Sequence, residues 1–385
     1  MRVAHIITRM IIGGAQENTL YNCLDLIKDF DDEVLLITGP ATGPEGKLLD
    51  QGRAGGLKIR MVDSLRRPIH PRDYAAYKDL CSVLNEFSPE VVHTHSAKGG
   101  FLGRAAGWNS KIPAVIHTVH GAPFHPYQSV IARQLFVALE KWAAKRCHHM
   151  ICVADAMTDL MVNAGVAPRE KFTTIYSGMD VEPFVNCHSM RGEARAALGL
   201  KDSDVVFGKI ARLYKLKGHE FLIEAAKRAI ADNPNIKILL VGDGIYRSRF
   251  EFEIRAAGLE KHFILTGLVQ PEEIPYYVSA IDCLVHTSLR EGLARTLPQA
   301  LIAGKPVISY DVDGAREVTI PDQTGYLIPP MEIQPLTDAM LELAKSSELR
   351  RKLGQGGASH FTEQFRHRNM TKSIRALYED LLDRK

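Results

Sequence analysis

At 385 residues the chain is too long for one compact core, so two domains are the expectation. Its 45% hydrophobic and 24% charged residues are ordinary for a globular protein, and a net charge of +3 gives no ground for nucleic-acid binding. Six cysteines without regular spacing exclude a disulfide framework and point to a reducing compartment.

The chain starts directly in an apolar stretch, Val3–Ile7, which reads as a strand rather than the apolar region of a secretory leader. No apolar run approaches the ~18 residues a spanning helix needs. The expectation is a cytoplasmic protein, at most peripheral on the inner face of the plasma membrane. Further strands are predicted at Val34–Thr38, Ile59–Val62, Val91–His95, Ala114–Val119, Met150–Val153 and Thr173–Ile175. Helical patterns lie between them at Gln16–Lys28, Tyr74–Phe87 and Ser129–Arg146. Such alternation predicts a doubly wound parallel sheet. The pattern loosens after Ser177–Asp180, and residues 183–199 read as an interdomain linker. A second alternating half follows, with strands at Val205–Ile210, Lys237–Val241, His262–Leu265, Cys283–His286, Val307–Tyr310 and Tyr326–Ile328. Its helices are His219–Asp232, Tyr246–Ala257, Ile274–Ser279 and Pro335–Ala344, and a helical tail runs from Thr362 to Leu382.

Several strand ends carry polar or glycine-rich motifs. Gly13-Gly14 follows the first strand and lets the backbone approach a phosphate or sugar, though no dinucleotide fingerprint is present. His93-Thr94-His95 places two histidines on one face of a strand. They could bind metal, but the plainer reading has one packed and one facing a ligand. Ser96 and Lys98 beyond them suit an anionic acceptor. His120-Gly121 ends the fifth strand, and a lone histidine there is either a core residue or a ligand contact. Cys147-His148-His149 fits no zinc spacing, and no metal site is expected. Arg212 follows the first strand of the second half, and Lys217 precedes a helix. Two fixed cations beside a helix N-terminus can neutralise a diphosphate. Gly242-Asp243-Gly244 and Gly267-Leu268 end the next two strands as turns. The stretch from Thr287 to Ser309 leaves a strand, breaks at Glu291-Gly292, and resumes as a helix with Pro298 in its first turn and Gly304 at its end. Such a break at the carboxyl edge of a parallel sheet is where ligands bind.

Segment 93–149 is basic. Lys98, Arg104, Lys111, Arg133, Lys141, Lys145 and Arg146 face one acid, Glu140, a balance of +6. The helix at 129–146 also carries Ile131, Leu135, Phe136, Leu139 and Trp142. It reads either as a core face backed by a solvated face, or as a peripheral surface for anionic lipid.

Ser288-x-x-Glu291-Gly292-Leu293, with Ala303-Gly304-x-Pro306-Val307, resembles the signature of GT-B retaining glycosyltransferases of family 4. Arg212-Leu213 with Lys217-Gly218 matches the same pattern, and His93–Gly100 resembles a subgroup that extends lipid-linked or surface glycans. The resemblance implies two Rossmann-like α/β domains facing across a cleft: 1–182 for the acceptor and 200–365 for the nucleotide sugar, with a last helix, 366–385, packed back on the first. It implies Arg212 and Lys217 as a diphosphate clamp, Glu291 on sugar hydroxyls, and His120 against the donor sugar. Gly13, Gly14, Gly242, Gly244, Leu268, Gly292 and Leu293 would line the donor. Where the family has a second glutamate on the ribose, this chain has Gln299, which keeps an acceptor but loses the charge. That change should weaken ribose binding by on the order of 1 kcal/mol. The implied activity is metal-independent, retaining transfer from a UDP- or GDP-linked sugar, without a further cofactor, to a glycan or polyprenyl-diphosphate acceptor. A nucleotide-sugar epimerase and a non-catalytic sugar-nucleotide binding module are the rival readings.

Overall fold

The computed structural model describes residues 1–40, 47–68 and 70–384. Two wholly parallel sheets organise them. The first comprises β1 (Arg2–Arg9), β2 (Glu33–Gly39), β3 (Lys58–Met61), β4 (Val91–His95), β5 (Ala114–Val119), β6 (His149–Cys152) and β7 (Phe172–Thr174). The second comprises β8 (Val205–Ile210), β9 (Ile236–Val241), β10 (Phe263–Gly267), β11 (Cys283–His286), β12 (Val307–Tyr310) and β13 (Gly325–Ile328). Their orders are β3-β2-β1-β4-β5-β6-β7 and β10-β9-β8-β11-β12-β13. The interior strands are largely apolar because crossover helices cover both faces of a parallel sheet, with His5, His93, His95 and Lys209 as buried exceptions. Each order reverses once, between β1 and β4 and between β8 and β11. Beyond the carboxyl ends of such a pair the loops diverge and leave a crevice.

The chain divides into two compact units. One comprises Met1–Met179 with Gln364–Lys385, the other Asp180–Glu363. Residues 183–199, expected as a linker, instead fold as short helices, Glu182–Val185, Cys187–Met190 and Arg191–Ala197, within the second unit. Arg191 and Arg195 fix them there by pairing with Asp282, just ahead of β11, at 2.6 and 3.3 Å.

The sequence reading also overlooked the helix Ser347–Phe361, because Gly354, Gly356 and Gly357 argue against helix. The structure uses all three for close packing, with a Cβ on Gly356 falling 2.2 Å from the Gln323 carbonyl oxygen. A Cβ on Gly354 would lie 2.0 Å from the Gly304 carbonyl oxygen, and one on Gly357 2.6 Å from Leu301. The tail helix starts at His367 rather than near Thr362, after Arg366 has bridged to Met179. It buries Met370, Ile374 and Tyr378 in the first unit's core, beside Val3, Ile7, Val91 and Ile116. Ile374→Ala should therefore cost the first unit about 2–5 kcal/mol. Denaturant unfolding should show this as a lowered midpoint, whereas an unchanged midpoint would mean the tail does not complete that core.

Candidate functional site

In the second unit the two loops at the strand-order reversal are tied to each other. The loop after β8 holds Arg212 and Lys217, and the loop after β11 holds Glu291 and Gly292. The Leu289 amide donates to the Leu216 carbonyl at 2.9 Å, and the Thr287 hydroxyl donates to the Gly218 carbonyl at 2.6 Å. Gly218 sits at φ +68°, and a Cβ there would fall 1.9 Å from the Thr287 carbonyl oxygen, so only glycine lets the loops approach this closely. Across the junction the Lys217 ammonium pairs with the Glu291 carboxylate. His286 Nε2 lies 3.8 Å from the same carboxylate. Burial opposes the charge on Glu291, but the Lys217 ammonium outweighs it and holds the carboxyl below its usual range. The Glu291 amide donates to Asp313 Oδ2 at 2.7 Å, and Gly292 accepts from the Gly314 amide at 3.0 Å. The loop after β12 thus completes the support.

The helix that resumes after the break at Glu291-Gly292 starts a few residues on, as Pro298 in its first turn implies. The helix there spans Thr296–Ile302, so Gly292 and Leu293 lie in the preceding loop. A seven-residue helix has little dipole to offer. The longer helix at this edge is His219–Asp232, whose N-cap is Gly218, next to Lys217. Pro298 does fall in the first turn of the short helix, and Gln299 lies on it, half-buried. Arg212 is exposed, with its guanidinium 5.4 Å from the Tyr214 ring centroid. Gly242 and Gly244 pack against the Arg212 loop. The Asp243 carbonyl accepts from the Leu213 amide at 3.0 Å, and the Gly267 carbonyl accepts from the Gly242 amide at 3.1 Å. Leu268, one residue further, is 72% exposed. The structure therefore gathers Arg212, Lys217, Gly242, Gly244, Leu268, Glu291, Gly292, Leu293 and Gln299 on loops and a helix start at one sheet edge.

Sequence reasoning missed Lys209 and His286 behind this edge. Lys209 is fully buried in β8 and donates to the Thr287 hydroxyl at 2.9 Å. Its signal was a single charge in an otherwise apolar strand. Burial, and after it the charge of Lys217, lowers Lys209 from 10.5 to about 7. Burial likewise lowers His286 to about 3. Gly13, Gly14 and His120 lie in the first unit. The helix Gly14–Phe30 begins immediately after Gly13, and His120 follows β5, half-buried. Gly13 has φ 168°, extended backbone open to any residue, so it is not conformationally required.

Neighbouring expectations shift as well. Lys98 is committed to Asp73, at 2.7 Å, rather than offered to an anion. His93 and His95 are both fully buried, so neither faces a ligand. Ring nitrogens of His5, His93 and His95 lie within 4.8 Å of one another, as a metal triad would require. Both His93 nitrogens are already engaged, by Tyr378 at 2.5 Å and Thr118 at 2.6 Å, and a His5 and a His95 nitrogen face each other at 3.0 Å. This geometry belongs to a hydrogen-bonded network. Arg104 is interior too, paired with buried Glu140 at 2.9 Å. On the helix Val130–Ala144, Ile131 is 81% and Leu135 56% exposed, so these two do not form a core face.

Two family models match the chain, one described as Glycosyltransferase Family 4 over residues 12–183, the other as Glycosyl transferases group 1 over residues 190–360. The chain is 27% identical to the UDP-Gal:alpha-D-GlcNAc-diphosphoundecaprenol alpha-1,3-galactosyltransferase of Escherichia coli, over 91% of this chain and 89% of that protein. It is 26% identical to the putative glycosyltransferase EpsD of Bacillus subtilis, over 79% and 81% of the two chains. The crystal structure of Anabaena HepE in complex with UDP superposes with a TM-score of 0.83 at 20% identity, covering 99% of this chain and all of that one. Both units thus have the parallel, Rossmann-like architecture of GT-B proteins.

The buried lysine generates a prediction. Between pH 7 and pH 10.5 the unfolded chain holds a proton on Lys209 that the folded chain lacks. Stability from this group therefore rises with pH across that window and is lost as pH falls towards the folded value. Lys209→Met should remove the dependence. Unfolding free energies from about pH 7 to about pH 9 should climb more steeply for wild type than for the variant, and parallel slopes would show that Lys209 does not titrate there.

Proposed function

The chain belongs to the GT-B glycosyltransferases of family 4, and from that premise we propose that it moves a sugar from a uridine diphosphate donor to a lipid-linked or surface glycan, with retention at the anomeric carbon and without a metal. The single observation that carries the reading is the Lys217–Glu291 pair at the strand-order reversal of the second unit. A cation held there by a carboxylate is a ready counter-charge for a diphosphate, and Arg212 at the same edge supplies a second. The uridine nucleotide is favoured by two relatives: HepE was crystallised with UDP and with UDP-glucose, and the Escherichia coli relative is named for UDP-Gal.

In the proposed reaction the bond from the anomeric carbon to the diphosphate breaks while the acceptor oxygen bonds to that carbon on the same face. The acceptor's proton passes to the departing phosphate. Stabilising the charge that develops on the diphosphate is the main task, and Lys217 and Arg212 perform it. Glu291 exchanges part of its pairing for sugar hydroxyls and orients the ring. His120 donates to the donor sugar, and Gln299 accepts from the ribose. Lys217→Ala should lower kcat at least about tenfold, while wild-type turnover should persist in chelator. Product assays with UDP-sugars would check both. Near-wild-type turnover in the variant would remove Lys217 from the clamp, and isomerisation of the donor without acceptor would point to an epimerase.

The acceptor side rests on a different surface. Val130, Ile131 and Leu135 are 69%, 81% and 56% exposed, beside exposed Arg133, Lys141 and Lys145. A groove of about 470 Å³ runs alongside, lined by Val130, Val137 and Ala138 with Arg133 and Lys141. Apolar side chains flanked by cations suit a membrane of anionic lipid, where a polyprenyl-diphosphate acceptor would reside. The Escherichia coli relative's name specifies a diphosphoundecaprenol acceptor. Among the described residues no helix is long and apolar enough to cross a membrane. Wild type should float with acidic vesicles, and Ile131→Asp with Leu135→Asp should abolish this. Equal flotation with neutral vesicles would remove the electrostatic part.

A further inference from the structure

Three histidines in the first unit form a line that leads to His120. His5 lies on β1 and His95 on β4, adjacent strands of the sheet. His5 Nδ1 faces His95 Nε2 at 3.0 Å, with ring centroids 5.3 Å apart and planes 14° from parallel. His95 Nδ1 faces His120 Nε2 at 3.1 Å, with centroids again 5.3 Å apart and planes 30° from parallel. Side-by-side rings meeting nitrogen to nitrogen are hydrogen-bonded in line, each contact sharing one proton. His5 and His95 are fully buried, and burial holds both well below the usual histidine range, so both are neutral.

A neutral imidazole has one N–H and one lone pair. Two consecutive contacts through His95 must therefore run in the same sense. If His120 donated inward, His95 would donate to His5, and His5 would carry its proton on Nε2. That atom is buried without a hydrogen-bond partner, and a buried orphan N–H is the costlier and rarer defect. If the bonds run outward, His5 donates from Nδ1, His95 donates from Nδ1, and only a lone pair is left unpaired at the inner end. His120 then accepts at Nε2. His93, beside both rings, is tied separately to Tyr378 and Thr118 and does not break the line.

We propose that His5 and His95 are positioning residues that lock His120 as its Nδ1–H tautomer, so that it presents a hydrogen-bond donor and not a base to an oxygen of the sugar substrate. The last clause rests on the glycosyltransferase reading; the tautomer lock does not. The proton inventory allows no net relay, because the inner end of the line has no partner to supply a proton.

The test is long-range proton–nitrogen correlation NMR on full-length protein labelled at histidine nitrogens, which distinguishes the two tautomers directly. Wild-type His120 should show its proton on Nδ1. His95→Leu removes the donor, and His120 should move to the Nε2–H form. His95→Asn places an amide N–H near the lost Nδ1–H and should restore the Nδ1–H form. With UDP-sugar and acceptor, His95→Leu should lower kcat roughly tenfold, one neutral hydrogen bond's worth, with little change in donor KM, and His95→Asn should recover most of it. A wild-type His120 protonated on Nε2, or a tautomer indifferent to His95→Leu, overturns the lock, and the wild-type spectrum decides this even if a variant fails to fold. A confirmed lock in a protein that transfers no sugar would instead defeat the functional reading.

Discussion

One ion pair joins the two loops on which the candidate site is built. Lys217 and Glu291 come from loops 74 residues apart in sequence, and they meet because β8 and β11 are neighbours where the strand order reverses. A half-buried pair is weak evidence of stability, since desolvation offsets much of the attraction. Its value here is poise. The carboxylate is held ionised against burial, and the ammonium is held at a sheet edge where an anion can take over as its partner. Exchanging one anionic partner for another costs less than stripping a cation from water.

The backbone around the pair explains why it is held so firmly. Thr287 accepts from Lys209 and donates to Gly218, linking a buried lysine to the turn that carries Lys217. Asp313 and Gly314 hold Glu291 and Gly292 from the third loop. Asp313 itself has φ 49°, a left-handed conformation uncommon outside glycine. Strain of this kind persists only where surrounding contacts over-determine it, and it clusters where a ligand must be met by a fixed surface.

What the sequence disclosed follows physical lines. The strands were legible because a strand buried on both faces has to be apolar, and the loops were legible because they interrupt such runs with glycine and charge. Arg212, Lys217 and Glu291 could be placed at strand ends for that reason. Features set by tertiary contact were not legible. The helix Ser347–Phe361 hides behind glycines that allow close approach to Gly304, Gln323 and Leu301. Lys209 was passed over, since its burial depends on what covers the sheet. His93 and His95 could be put on one face from their spacing, yet their relation to His5 depends on the register between β1 and β4. The helix at 130–144 carried a core-like pattern, and only the fold reveals that Ile131 and Leu135 face outward.

The central claim is that Lys217 and its neighbours hold the diphosphate of the donor. Calorimetric titration of wild type and Lys217→Ala with UDP and with UMP isolates that contact, because the two ligands differ only in the outer phosphate. The account predicts that wild type binds UDP more tightly than UMP, and that the difference collapses in the variant while UMP affinity barely moves. An unchanged preference for UDP in Lys217→Ala would contradict it.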